Sequence, residues 1–197
     1  MIYLRHKRRC KMKNSSINKI TVILTRIIEI SHIVAAILMA AAGICAAFAP
    51  GFTKYFIDID SLAKEKVIEI YGFEAVLNIG PEGINFSVFA IFAVGAVIIM
   101  LIMAMIFHNL YIIMKKTECH AYFSEDTIKR LRQTGILSMA IPAVGLIMSV
   151  FIRLIAGVEY AELSVNMDGV FMGLVVLCLT RFFIHGYELE KDMEGLL

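Results

Sequence analysis

The sequence predicts an all-α integral membrane protein: four transmembrane helices in two hairpins, with a small extracytoplasmic lobe between spans 1 and 2. Three observations point there. Of 197 residues, 59% are hydrophobic and the mean hydropathy is +0.79, where a soluble domain is roughly 45–50% apolar. The apolar residues fall in long blocks, and about 20 residues at 1.5 Å each cross a hydrocarbon core. The positive charges gather at one end of these blocks. The formal net charge of +2 makes no case for direct nucleic-acid binding.

Residues 1–26 form a basic segment with Arg5, Lys7, Arg8, Arg9, Lys11, Lys13, Lys19 and Arg26. It abuts a hydrophobic span, so it reads as a positive-inside topology signal. The four-span domain covers residues 27–185. The first span, about 27–48, is too long for a cleaved signal sequence and is expected to be a retained anchor. Its Ala36, Ala40, Gly43 and Ala47 recur at helical spacing, which lets a neighbouring helix approach closely.

Residues 52–85 are polar and mixed, three lysines against six acids, and are expected to form the outer lobe capping the helices. Tyr55 to Ile59 reads as a short strand. Ser61 is placed to cap a short amphipathic helix carrying Leu62, Val67 and Ile70. Gly80-Pro81-Glu82-Gly83 is a turn.

The second span, about 86–114, holds no Asp, Glu, Lys or Arg, and its Gly95 and Ala96 suit a helix contact. Lys115 and Lys116 stop it. Ser124 is a good N-cap, and Glu125 and Asp126 follow where the helix dipole favours negative charge. The expected object is one helix that starts on the membrane surface and continues through the third span, about 135–155. Pro142 removes one backbone bond inside it. The fourth span, about 169–185, carries Arg181, and 186–197 is a polar tail. Lys115, Lys116, Lys129, Arg130 and Arg132 lie on the same side as the basic N-terminal segment, so both termini are expected in the cytoplasm. This makes the lipid bilayer a partner and the cell membrane the location.

Ionisable residues within spans are costly and are therefore the first functional candidates. Glu29 and His32 on span 1, His108 on span 2 and Arg181 on span 4 form a candidate intramembrane polar cluster. Glu29 and Arg181 are candidates to pair. His32 and His108 are the two histidines that a haem or metal would use. The cysteines, Cys10, Cys45, Cys119 and Cys178, match no metal-binding spacing. No catalytic constellation appears, and no enzyme activity or cofactor is expected.

The stretch Phe123-Ser124-Glu125-Asp126-x-x-Lys129-Arg130-Leu131-Arg132 and the ending Gly186-Tyr187-Glu188-Leu189-Glu190-Lys191-Asp192 resemble a bacterial four-span membrane family of unknown function, numbered 2975 (DUF 2975). The resemblance implies a non-catalytic membrane protein that holds or signals to a small cytoplasmic helix-turn-helix transcription regulator. Phe123, Ser124, Glu125, Lys129, Arg130 and Arg132 are then the expected docking residues. The alternative is a small transporter, functioning as a homo-oligomer, with a polar path through Glu29, His32 and Arg181.

Overall fold

The computed structural model describes residues 16–49, 67–77, 85–117, 124–163 and 166–194. Four long helices dominate it: α1 (Ser16–Phe48), α2 (Phe86–Thr117), α3 (Glu125–Ile155) and α4 (Asp168–Glu194). All four are long and apolar enough to cross a membrane. Between α1 and α2 lie two short strands, β1 (Val67–Ile70) and β2 (Phe73–Val76). The expected strand at 55–59, the Ser61 cap and the turn at 80–83 fall outside the described residues.

Each helix runs past the apolar block that announced it. α1 begins at Ser16, within the basic segment. α3 is one continuous helix from the Ser124 cap to Ile155, with Pro142 inside it. α4 continues through the expected tail to Glu194. Side chains at these ends are polar while the backbone bonds stay intrahelical, so composition marks the apolar stretch and not the end of the helix.

Among the described residues, α1 packs on α2, α2 on α3 and α3 on α4, while α1 and α4 share no packed interface. Small residues set the close approaches, as the stripe on span 1 requires. A Cβ on Gly43 would stand 2.6 Å from the Ala93 Cβ. On α4, a Cβ on Gly169 would meet the Ser138 carbonyl oxygen at 2.8 Å and the Pro142 ring at 2.9 Å, and one on Gly173 would meet the Gly135 carbonyl oxygen at 2.7 Å. Pro142 has no N–H to give the Ser138 carbonyl, so α4 lies against that freed group. These contacts also fix depth: α4 begins opposite the middle of α3 and runs antiparallel to it toward the Ser124 end.

The segment between α1 and α2 departs from expectation. Val67 and Ile70, assigned to an amphipathic helix on their three-residue spacing, lie in β1. The longer pattern is alternation. With the register Val67↔Val76, Ile68↔Ala75, Glu69↔Glu74 and Ile70↔Phe73, Ile68, Ile70, Phe73, Ala75 and Leu77 share one face. Tyr71 and Gly72 have φ of 50° and 80°, the signature of a two-residue type I′ turn.

The hairpin does not sit on top of the helices as a cap. Phe73, Ala75 and Leu77 are almost wholly buried and join the core with Val88, Phe92, Ala96 and Ile99 of α2 and Ile141 and Ile152 of α3. Phe73 stacks on Phe92 with ring centroids 4.8 Å apart. Facing glycines make its room: a Cβ on Gly95 would come within 2.7 Å of the Phe73 ring, and one on Gly145 within 3.3 Å of its Cβ. The physical reason is that α4 starts halfway along α3 and leaves the other half of α3 open, and the apolar face of β2 packs there.

Gly173→Leu should lower the unfolding free energy in detergent by about 1–3 kcal/mol, the usual cost of overpacking a tight contact. Ile147→Leu, on an exposed face of α3, should leave it unchanged. Thermal unfolding followed by circular dichroism distinguishes the two.

Candidate functional site

Arg26, Glu29 and His32 follow one another at three-residue spacing on α1, which stacks them on one face. The Glu29 side chain is only 7% exposed. Its Oε1 accepts from Arg26 Nη1 at 2.6 Å and, across the α1–α2 interface, from His108 Nδ1 at 3.0 Å. The Arg26 guanidinium lies over the Tyr111 ring at 5.3 Å, and Lys115 Nζ stands 5.6 Å from the same ring. The second carboxylate oxygen, Oε2, is buried with no hydrogen-bond partner among the described residues. A carboxylate oxygen only accepts, so Oε2 is left able to take one further donor.

One turn along, His32 Nδ1 is 2.8 Å from the Ile28 carbonyl oxygen and Nε2 is 2.6 Å from the Tyr71 hydroxyl. A carbonyl only accepts, so Nδ1 carries the hydrogen. In the neutral ring Nε2 is then the acceptor, and Tyr71 donates to it. The imidazole is stacked between the Tyr71 ring, 6.1 Å away, and the Phe107 ring, 5.6 Å away. Type I′ turns favour Asn, Asp or Gly at the first central position. A tyrosine with φ of 50° is strained there, and the bond and stacking with His32 offset that strain.

A third polar group lies where α2 and α3 meet. Ser124 Oγ accepts from the Thr127 amide at 3.2 Å. Arg130 donates from Nε to Asp126 at 3.0 Å and from Nη1 to the buried Asn109 of α2 at 3.1 Å. Arg130 is thus tied into the fold. Glu125, Lys129 and Arg132 are exposed. Phe123, the remaining expected docking residue, lies outside the described residues.

Of the expected intramembrane cluster, the structure brings Glu29 and His108 together and sets His32 one turn away. Arg181 does not join them. It is exposed on α4, which packs on α3 and not on α1. Arg26 takes the place expected of Arg181, since a partner three residues along the same helix is in reach however the helices pack. Three residues of the site escaped the sequence reading: Arg26, taken as a topology signal; Asn109, inside an apolar span; and Tyr71. Only Tyr71 carried a usable signal, a Tyr-Gly pair between two alternating segments. The haem reading of His32 and His108 does not fit, because both ring nitrogens of His32 are engaged. No group of three metal-ligating side chains occurs among the described residues.

No family model, curated protein or solved structure matches the chain.

Tyr71→Phe should cost about 0.5–1.5 kcal/mol, the net worth of one hydrogen bond. Tyr71→Asn should cost less, because it relieves the turn while losing the same bond. Unfolding of both variants in one detergent tests the order.

Proposed function

We propose that this chain is a non-catalytic, four-span protein of the bacterial cytoplasmic membrane, with both termini inside, which regulates a cytoplasmic partner docked at the Ser124–Arg132 corner. The membrane reading rests on the outward faces of the helices. Ile37, Leu38, Leu101, Phe151, Leu154 and Phe182 are among many large apolar side chains left exposed, far more than water tolerates on one surface.

The observation that carries the docking role is the built corner itself. The Ser124 cap and the Arg130 bridge to Asp126 and Asn109 hold the start of α3 in a fixed place beside α2. Lys129, Arg132 and Glu125 then stand exposed on a rigid turn. Such a surface suits an acidic or mixed-charge partner. The resemblance to family 2975 is what points to a small helix-turn-helix regulator as that partner.

A second reading is favoured by Glu29. A buried carboxylate held by Arg26 and His108 also suits proton-coupled permeation, with the chain functioning as a homo-oligomer. The exposed position of Arg181, away from Glu29, removes one of the three residues that path requires.

Recovery of a small regulator with the detergent-purified chain should fall about tenfold in a Lys129→Ala/Arg132→Ala double variant and remain in Arg181→Ala. No recovery with the wild type would count against the docking role. Proton flux in reconstituted vesicles, lost in Glu29→Gln, would favour the second reading instead.

A further inference from the structure

α2 and α4 both lie on α3 but share no packed interface with each other. The space left between them is a cavity of about 450 Å³. Its floor is Ser138, Ile141 and Pro142, near the middle of α3. Met103, Ile106, Phe107 and Leu110 recur at helical spacing along α2 and form one wall. Met172, one turn into α4, stands on the other. Tyr71 of the hairpin and Asn166, just before α4, complete the lining. Cavities of about 300–1,000 Å³ with apolar walls and a few polar groups are the usual form of a small-molecule site.

The polar groups are unequal. The Tyr71 hydroxyl is engaged with His32, and the Asn166 side-chain oxygen accepts from the Asp168 amide at 2.8 Å. Among the described residues, Asp168 is the one charge on the lining, exposed at the mouth. None of the ion pairs among those residues includes it. The start of α4 brings about half a positive charge, too little to cancel a full negative one. Level with the middle of α3, a bare carboxylate beside lipid is costly and calls for a counter-charge. The same lining holds the rings of Tyr71 and Phe107, and aromatic faces attract cations. His32 is stacked against both rings but is not on the lining. A phospholipid tail would fill the slot and leave the carboxylate bare, and an anion would be repelled by it.

We propose that this cavity binds a lipophilic cation, with an apolar, ring-bearing body held between α2 and α4 and its positive charge against Asp168. The site rests on the membrane reading, which supplies both the need for a counter-charge and a way in between the two helices. It goes beyond the docking role and gives that role an input, since a body wedged there bears on α3, the helix whose first turns form the docking corner.

Tetraphenylphosphonium and tetraphenylborate share a four-ring body and carry opposite charges. Equilibrium dialysis of the full chain in a neutral detergent, with empty micelles as the blank, should show saturable binding of the phosphonium and none of the borate. Asp168→Asn should weaken that binding about tenfold or more, and so should Met172→Trp, which fills the slot from an exposed position. Asp192→Asn, which removes an exposed carboxylate from the far end of α4, should leave it unchanged. So should Lys129→Ala/Arg132→Ala, so that a failed docking role shows separately. Equal binding of the two ions means an apolar slot only and overturns the proposal. An Asp168→Asn variant that binds like the wild type, or a wild type that binds neither ion, overturns it too. A chain that alkaline carbonate washes off its membranes overturns the membrane reading instead, whatever the ions do.

Discussion

In the membrane reading proposed above, a peptide group in hydrocarbon has no water to fall back on, and that single constraint accounts for most of the described structure. Four helices close their own backbone bonds and need only apolar side chains outside. The small residues at Gly43, Gly135, Gly169 and Gly173 then bring their backbones close enough for dispersion to hold them, in a medium where the hydrophobic effect between helices is weak. The β1–β2 hairpin, the sheet among the described residues, is admitted on stricter terms. β2 is enclosed by α2 and α3, and β1 covers one side of it.

The same constraint links the hairpin to the polar residues of α1. A tip that reaches the middle of a helix row must place its turn beside something, and here it places a strained tyrosine on a histidine. Below that contact, Glu29 ties α1 to α2 through His108. Farther along, Asn109, the next residue of α2, ties α2 to α3 through Arg130. Adjacent residues of α2 thus serve two interfaces. A shift of α1 relative to α2 at Glu29 acts on the same turn of helix that anchors the start of α3.

The four helices were legible because length and apolarity are local properties, and so was the Ser124 cap, since its chemistry spans four consecutive residues. The hairpin was not, because Val67 and Ile70 satisfy a helical spacing as well as a strand's. Only the partner strand, with Phe73, Ala75 and Leu77, breaks the tie. The ion pair of Glu29 was misassigned for a related reason. Sequence says that a buried carboxylate needs a cation but not which helices touch, and the partner it has, Arg26, looked already explained by the positive-inside rule. His108 could be named as a polar residue in a span, but its bond to Glu29 depends on helix rotation, which no local pattern records.

The late start of α4 has a consequence for the fold. From Pro142 to Ile155 is 13 residues, about 20 Å of helix, and along that length α3 has no α4 beside it. That stretch of α3 is faced instead by the apolar side of β2, with Phe73 seated against Gly145. A short hairpin thus does there what a further length of helix would otherwise do, and the row of helices is completed by a piece of sheet.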